Sequence, residues 1–277
     1  MPVEAIRLIR KMRGGAQAHL LECDDGHFYV VKFLNNPQHR RILINEWIAS
    51  VFLNYLQISA PPAALVNLSG EFLASNPEVH IELGSRHLAI QPGWHFGSRY
   101  PGDPAKIMVY DFLPDALLDK VVNVGEFRGV LAFDKWMGNA DSRQSIFFRA
   151  RLRQWPPSSS EQAPRAGFVA QMMDHGYVFN GPHWIFPDSP LQGLYFRPSV
   201  YQSVRSWDDF EPWLDRVVHF PDEVVDDAQK QLPPQWLAED APALEAMLVK
   251  LMSRRKRVPD LIRESRRGRV NPFPDWK

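Results

Sequence analysis

The sequence predicts an α+β protein of two lobes: a small mixed β-sheet lobe over residues 1–92, then a larger, mainly helical lobe over 93–277. Three observations carry this expectation. Strand-like alternation fills the first third, helical periodicity fills the last, and a Gly/Pro-rich stretch lies between them. At 277 residues and 45% hydrophobic content the chain can bury a sizeable core.

In the first lobe "AIRLIRKM" alternates weakly, while "QAHLLEC" and "HFYVVKFL" read as strands joined by the turn "DDGH", giving a hairpin over residues 17–34. After Pro37, "QHRRILINEWIASVFLNYL" has apolar residues at helical spacing until "SAPPAA" stops it. "RHLAIQ" is a further strand candidate, and "PGWHFGSRYPGDP" reads as a linker or hinge.

The second lobe begins with a short helix, "DALLDKVV". "VGEFRGVLAFDKWM" then places Val130, Phe133, Asp134 and Met137 on one side, with Gly138 as its stop. "QSIFFRA" and "GFVAQMMD" form a second hairpin across the Pro/Ser-rich "RLRQWPPSSSEQAPRA", expected to be a mobile excursion. "SWDDFEPWLDRVVHF", "DEVVDDAQKQL" and "APALEAMLVKLMSRRKRV" are helical, with Ser206 and Pro221 as start signals.

Composition excludes several functions. Thirty-two basic residues balance thirty-two acidic ones, so no global field draws in nucleic acid or an anionic membrane. Cys23 is the single cysteine, which excludes an internal disulfide and a thiolate zinc cluster and suits a reducing compartment; cytoplasm is expected. The N-terminal run lacks a signal-peptide core, and no stretch approaches eighteen uninterrupted apolar residues, so no membrane is expected. Neither HExxH nor GxSxG spacing occurs.

Asp141 follows the turn Gly138-Asn139, and Asp174 ends the second strand of the later hairpin. An antiparallel hairpin brings these two carboxylates to the same end, where a hard cation such as Mg²⁺ would relieve their repulsion. The plainer reading is that both are ordinary turn residues. Glu46 lies in an apolar helical stripe with Ile42, Ala49 and Leu53 and needs a partner; Lys32, on the strand leading toward that helix, is the candidate. Each would otherwise sit at an edge and reach solvent. Gly14, Gly15, Ala16 and Ala18 would let backbone N–H groups approach a phosphate, with Gln17 as a further donor, although a glycine pair before a strand is usually only a turn. The order small-residue loop, strand lysine, helix glutamate, turn aspartate, strand-end aspartate is the layout of a phosphoryl-transferring kinase.

On "GGAQ", "YVVKF", "NE" and "D..MGNAD" followed by "MMDHG", the chain resembles the HipA-like kinases over residues 5–180, in their short, free-standing form. The resemblance implies a protein-kinase-like fold with ATP and Mg²⁺ as cofactors. It implies that Lys32 contacts phosphates and is held by Glu46, that Asp141 orients or deprotonates the acceptor hydroxyl, and that Asp174 holds the metal. One departure is clear: the metal-binding Asn expected five residues after Asp141 is Ile146, which leaves Gln144 or Asn139 as substitutes. Ser142-Arg143 stands where a histidine is usual; Arg143 would pair with Asp174 or a phosphate, or lie exposed. Trp94 or Phe96, in the expected hinge, would stack on adenine or pack into the core.

The leading reading is a kinase acting on a hydroxyl, of a protein Ser or Thr or of a small molecule, with a regulatory partner protein as a further candidate. The alternatives are a catalytically weak nucleotide-binding module, motivated by Ile146, and nucleic-acid binding by the basic tail "SRRKRVPDLIRESRRGR", whose simpler reading is a solvated helix end.

Overall fold

The computed structural model describes residues 2–151, 166–268 and 270–277. The expected excursion between the two strands of the second hairpin lies, for residues 152–165, outside the described residues. Five strands close a barrel: β1 (Pro2–Lys11), β2 (His19–Cys23), β3 (Phe28–Lys32), β4 (Ala63–Leu68) and the later Gly93–Arg99, in the order β1, β2, β3, Gly93–Arg99, β4. All neighbours are antiparallel except β1 and β4, whose parallel pairing closes the ring. The β2–β3 hairpin forms at the "DDGH" turn, where Gly26 has φ 75°, a conformation that costs glycine little. Val31, Leu21, Val66 and Leu68 fill the barrel with no exposure, as strict side-chain alternation requires.

Helix α1 (Arg41–Tyr55) follows β3 and buries Ile42, Glu46, Ala49 and Leu53 together. It ends where Gln57 takes a left-handed φ of 58° and the Ile58 amide bonds the Leu53 carbonyl. Between β4 and the last barrel strand lie helix α2 (Gly70–Ser75), capped by Ser69, and a separate hairpin of β5 (His80–Leu83) and β6 (Arg86–Ala89). The stretch 93–99 is therefore strand β7, bonded to β3 on one side and β4 on the other, and not a linker. The sheet lobe extends to Arg99, past the expected boundary at residue 92, because a barrel cannot close without its fifth strand.

The second lobe is mainly helical around one core continuous with the back of α1. A three-stranded sheet at its front joins β8 (Val109–Tyr110), β9 (Gln144–Arg151) and β10 (Ala166–Met173). Behind it pack α3 (Asp115–Leu118), α4 (Glu126–Met137), α5 (Trp213–Val218), α6 (Asp222–Lys230), α7 (Pro234–Leu237), α8 (Ala241–Arg254) and α9 (Val258–Ser265). Val130, Phe133, Asp134 and Met137 are all fully buried on the inner face of α4, and Gly138 ends it with φ 60°. Ser206 caps the turn before α5 in a capping box with Asp209.

The basic tail is built into this lobe. Arg254 is buried against Asp188 and the Lys135 and Trp136 carbonyls, Arg257 also meets Asp188, and Arg266 lies over the Trp276 ring. Among the described residues no helix is long and apolar enough to cross a membrane.

Candidate active site

The site forms where the barrel meets the sheet of the second lobe, and three local devices build it. The first is the end of β3. Lys32 points between the lobes, 9% exposed, and its ammonium group bonds the Glu46 carboxylate from α1. It also donates to Asp174 Oδ1 at 2.7 Å. Burial alone would push the lysine toward neutrality, but Glu46 and Asp174 outweigh it and hold the ammonium above its ordinary range. Lys32 in turn keeps Asp174 ionised below the usual carboxylate range.

The second device is the β9–β10 ladder, in register from Gln144 opposite Met173 to Arg151 opposite Ala166. That register puts the residues flanking the hairpin's open end, Asp141 before and Asp174 after, into the wall of a single cleft of about 850 Å³. Gln144, the first residue of β9, lines the same cleft, and its amide nitrogen lies 3.4 Å from Asp141 Oδ2. Asp174 has φ 57°, a left-handed backbone that few aspartates adopt without outside support.

The third device is the loop between β1 and β2. Gly14, with φ 118°, and Gly15 line both the cleft and a smaller adjoining slot of about 140 Å³. The slot is walled by Ala16, Ala18, Val30, Ile146 and Met173 and by Tyr100 and Pro101, where the chain leaves the barrel. Slot and cleft share Gly14, Gly15, Gln38 and Asp174, so a mainly apolar space opens into a more polar one beside Lys32. Arg10 and Arg13 line the polar space.

Several expected roles change. Gln17 lines the slot, and its side chain exchanges two hydrogen bonds with the backbone of Glu82 in the β5–β6 hairpin, at 2.8 and 2.7 Å, which brace the loop. Trp94 is absent from the walls of both cavities; its carbonyl is bonded by Gln235 and Trp236, and Tyr100 and Pro101 take the hinge position instead. Phe96 is core. Asn139 is 1% exposed and bonded to Asp134 and to the Asp141 amide, so it is no metal ligand here. Ile146 lines the slot. Arg143 is neither exposed nor bonded to Asp174 or open to a phosphate; it is fully buried against Asp134.

Other contributors escaped the sequence reading. Asn45, fully buried, donates to the Gly176, Val178 and Gly181 carbonyls and accepts from the Trp184 indole, tying α1 to the segment after Asp174. Only its place beside Glu46 hinted at it. Arg10 and Arg13 carried a signal, the basic run directly before the glycine pair.

Mg²⁺ is held by one or two protein carboxylates together with phosphate and water oxygens. Asp174, with Gln144 on the adjacent rung, fits that demand, and the ammonium group now against Asp174 Oδ1 marks the spot as one suited to a cation. Among the described residues no group of three or more His, Cys, Asp or Glu forms an all-protein metal cage.

The sequence matches a family model described as HipA-like kinase over residues 5–147. No curated protein matches it. Among solved structures, the chain is similar to a Golgi casein kinase at 13% identity, covering 99% of this chain and 78% of that one, with a TM-score of 0.47. A Golgi casein kinase with Mn/ADP bound is similar at 13% identity over 92% of this chain and 72% of that one, with a TM-score of 0.45.

Proposed function

The chain belongs to the HipA-like kinase family, and from that premise we propose that it transfers the γ-phosphoryl group of ATP, with Mg²⁺, to the hydroxyl of a protein serine or threonine. The observation that carries this reading is the ammonium group of Lys32, bonded at once to Glu46 and to Asp174 where an apolar slot opens into a polar cleft. Adenine is assigned to the slot and the phosphates to its open end, near the Gly14-Gly15 backbone, Lys32, Arg10 and Arg13.

Each residue has a distinct task. Lys32, kept charged and fixed in direction by Glu46, attracts the phosphates. Asp141, exposed in the cleft and oriented by the Ser142 amide at 2.8 Å, accepts the acceptor hydroxyl's proton as oxygen bonds the γ-phosphorus and the bond to ADP breaks. Asp174 and Gln144 would hold Mg²⁺, which would neutralise charge on the phosphate oxygens. The cleft beyond Asp141, about 850 Å³ in all and bordered by the exposed Phe196, suits an extended polypeptide acceptor better than an enclosed small alcohol.

ATP titration with and without Mg²⁺ tests the reading. Asp174→Asn is expected to keep the fold and abolish the metal-dependent part of the affinity, and Lys32→Met to reduce transfer by about 10³-fold or more. Wild-type protein that binds ATP but neither releases nor transfers phosphate would favour the second reading, a nucleotide-binding interaction module; the observation on its side is Ile146, which has no ligand atom at the expected metal position.

A further inference from the structure

We infer that Arg143 is a positioning residue that holds both working carboxylates, Asp141 and Asp174, in place through one buried guanidinium group. The inference rests on the roles proposed above for those two aspartates, and it assigns the arrangement between them to a residue that touches neither substrate nor metal.

The Arg143 side chain has no solvent exposure. Its Nε donates to Asp134 Oδ2 at 2.8 Å and its Nη2 to the other oxygen of the same carboxylate, the bidentate fork that only arginine supplies. Its Nη1 faces the other way, donating to the Met173 carbonyl at 2.9 Å and to His175 Nδ1 at 2.9 Å. Since a guanidinium has no lone pair to offer, His175 Nδ1 is the acceptor and its Nε2 carries the hydrogen toward the Met172 carbonyl, 3.2 Å away. Asp174 is thus gripped on both sides, at the residue before it and the residue after it. Those two anchors hold it at the left-handed φ of 57°.

The Asp141 side mirrors this. Asp134 also accepts from Asn139 Nδ2 at 3.0 Å, and Asn139 Oδ1 accepts from the Asp141 amide at 3.1 Å. Asp141 is therefore flanked by Asn139 and Arg143, which meet at one buried carboxylate on α4. Gly193 packs so closely on that carboxylate that a Cβ there would lie 2.2 Å from Asp134 Cβ, which leaves the pair no room to shift. The loop bearing Asp141 and the strand end bearing Asp174 are separate in sequence; backbone bonds join them at Gln144–Met173 and from the Ala140 amide to the Tyr177 carbonyl at 3.0 Å, and Arg143 is the side chain that fastens both.

The test uses the full chain and AMP-PNP as probe, with thermal midpoint as a control for folding. Arg143→Lys keeps the charge and loses the fork. The expected result is AMP-PNP affinity without Mg²⁺ within about twofold of wild type, the Mg²⁺-dependent gain in affinity reduced about tenfold, and phosphoryl transfer reduced about 10²-fold. Arg254→Lys breaks a largely buried arginine pair, with Asp188, away from the cleft, and is expected to lower the thermal midpoint while leaving both the Mg²⁺-dependent gain and phosphoryl transfer unchanged. Should Arg143→Lys fail to fold, Asn139→Ala cuts only the Asp141 side and is expected to lower transfer about tenfold with the Mg²⁺-dependent gain intact. The inference is overturned if Arg143→Lys, or in its place Asn139→Ala, behaves like Arg254→Lys. A wild type with no Mg²⁺-dependent gain overturns the metal role of Asp174, and this inference with it; a wild-type gain retained in Arg143→Lys overturns the inference alone.

Discussion

The phosphate loop and the two aspartates are braced from behind by different contacts. Behind the phosphate loop the barrel buries neutral imidazoles: His19 bonds the Gln17 carbonyl through Nδ1 at 3.0 Å, and His95 accepts from the Leu34 amide at 2.9 Å just past Lys32. Burial holds His19 below its ordinary value and pushes His95 down to about 4. Behind the aspartates the helical lobe buries a full ion pair, Arg143 with Asp134. A neutral buried donor-acceptor group asks only for hydrogen bonds, whereas a buried charge must be paired or it destabilises the fold. The His19 and His95 contacts behind the phosphate loop can therefore relax one by one, whereas the Arg143–Asp134 pair behind the aspartates fails as a unit, as does the buried Lys32–Glu46 pair between the lobes.

Removing one member of the ion pair is the strongest way to break this contrast. Asp134→Asn leaves the Arg143 charge buried without a counterion and is expected to cost about 3–5 kcal/mol in denaturant unfolding. A loss below about 1 kcal/mol would mean the pair does not support the aspartate side.

Acid tests the barrel's buried histidines by a smaller amount. Because the folded His95 binds its proton only near pH 4, the unfolded chain binds that proton first as pH falls through about 6.5. The stability His95 contributes is thus present above about pH 6.5 and lost as pH falls toward 4, by on the order of 2–3 kcal/mol. Unfolding curves of His95→Gln should show a flatter dependence over that window; an unchanged slope would place the acid sensitivity elsewhere.

The mildest change is Gln17→Ala. It removes both bonds to Glu82 but leaves the loop tied at Lys11, which bonds Glu82 at 2.7 Å. The KM for ATP is expected to rise a few-fold with the unfolding free energy within about 1 kcal/mol of wild type, since exposed hydrogen bonds contribute little net stability. A fall in kcat with KM unchanged would show that the brace acts on the reacting atoms instead.

How much of this was legible depends on how local each signal is. Glu46 stood out because a carboxylate in the apolar stripe with Ile42, Ala49 and Leu53 demands a cation, and Lys32 lay on the preceding strand. Asp134 sends the same signal, on one side of its helix with Val130, Phe133 and Met137, yet nothing local points to its partner, because Arg143 follows a turn, where arginines are usually exposed. Trp94 is illegible for a different reason. A Gly- and Pro-rich run reads as a linker until two distant strands are found on either side of it, and the pairing of β7 with β3 and β4 is invisible in the run itself.

By itself the sequence determined which chemical groups were available and which local element bore each: a lysine at a strand end, a glutamate on a helix's apolar face, two aspartates at the open end of one hairpin. Periodicity and turn chemistry act over a few residues, so they survive without neighbours. Only the tertiary structure decided which groups meet, closing the barrel through β7, bonding Gln17 to the Glu82 backbone and burying Arg143 against Asp134. Those outcomes depend on desolvation and partner geometry between segments far apart in the chain, which have no energy until the chain is folded around them.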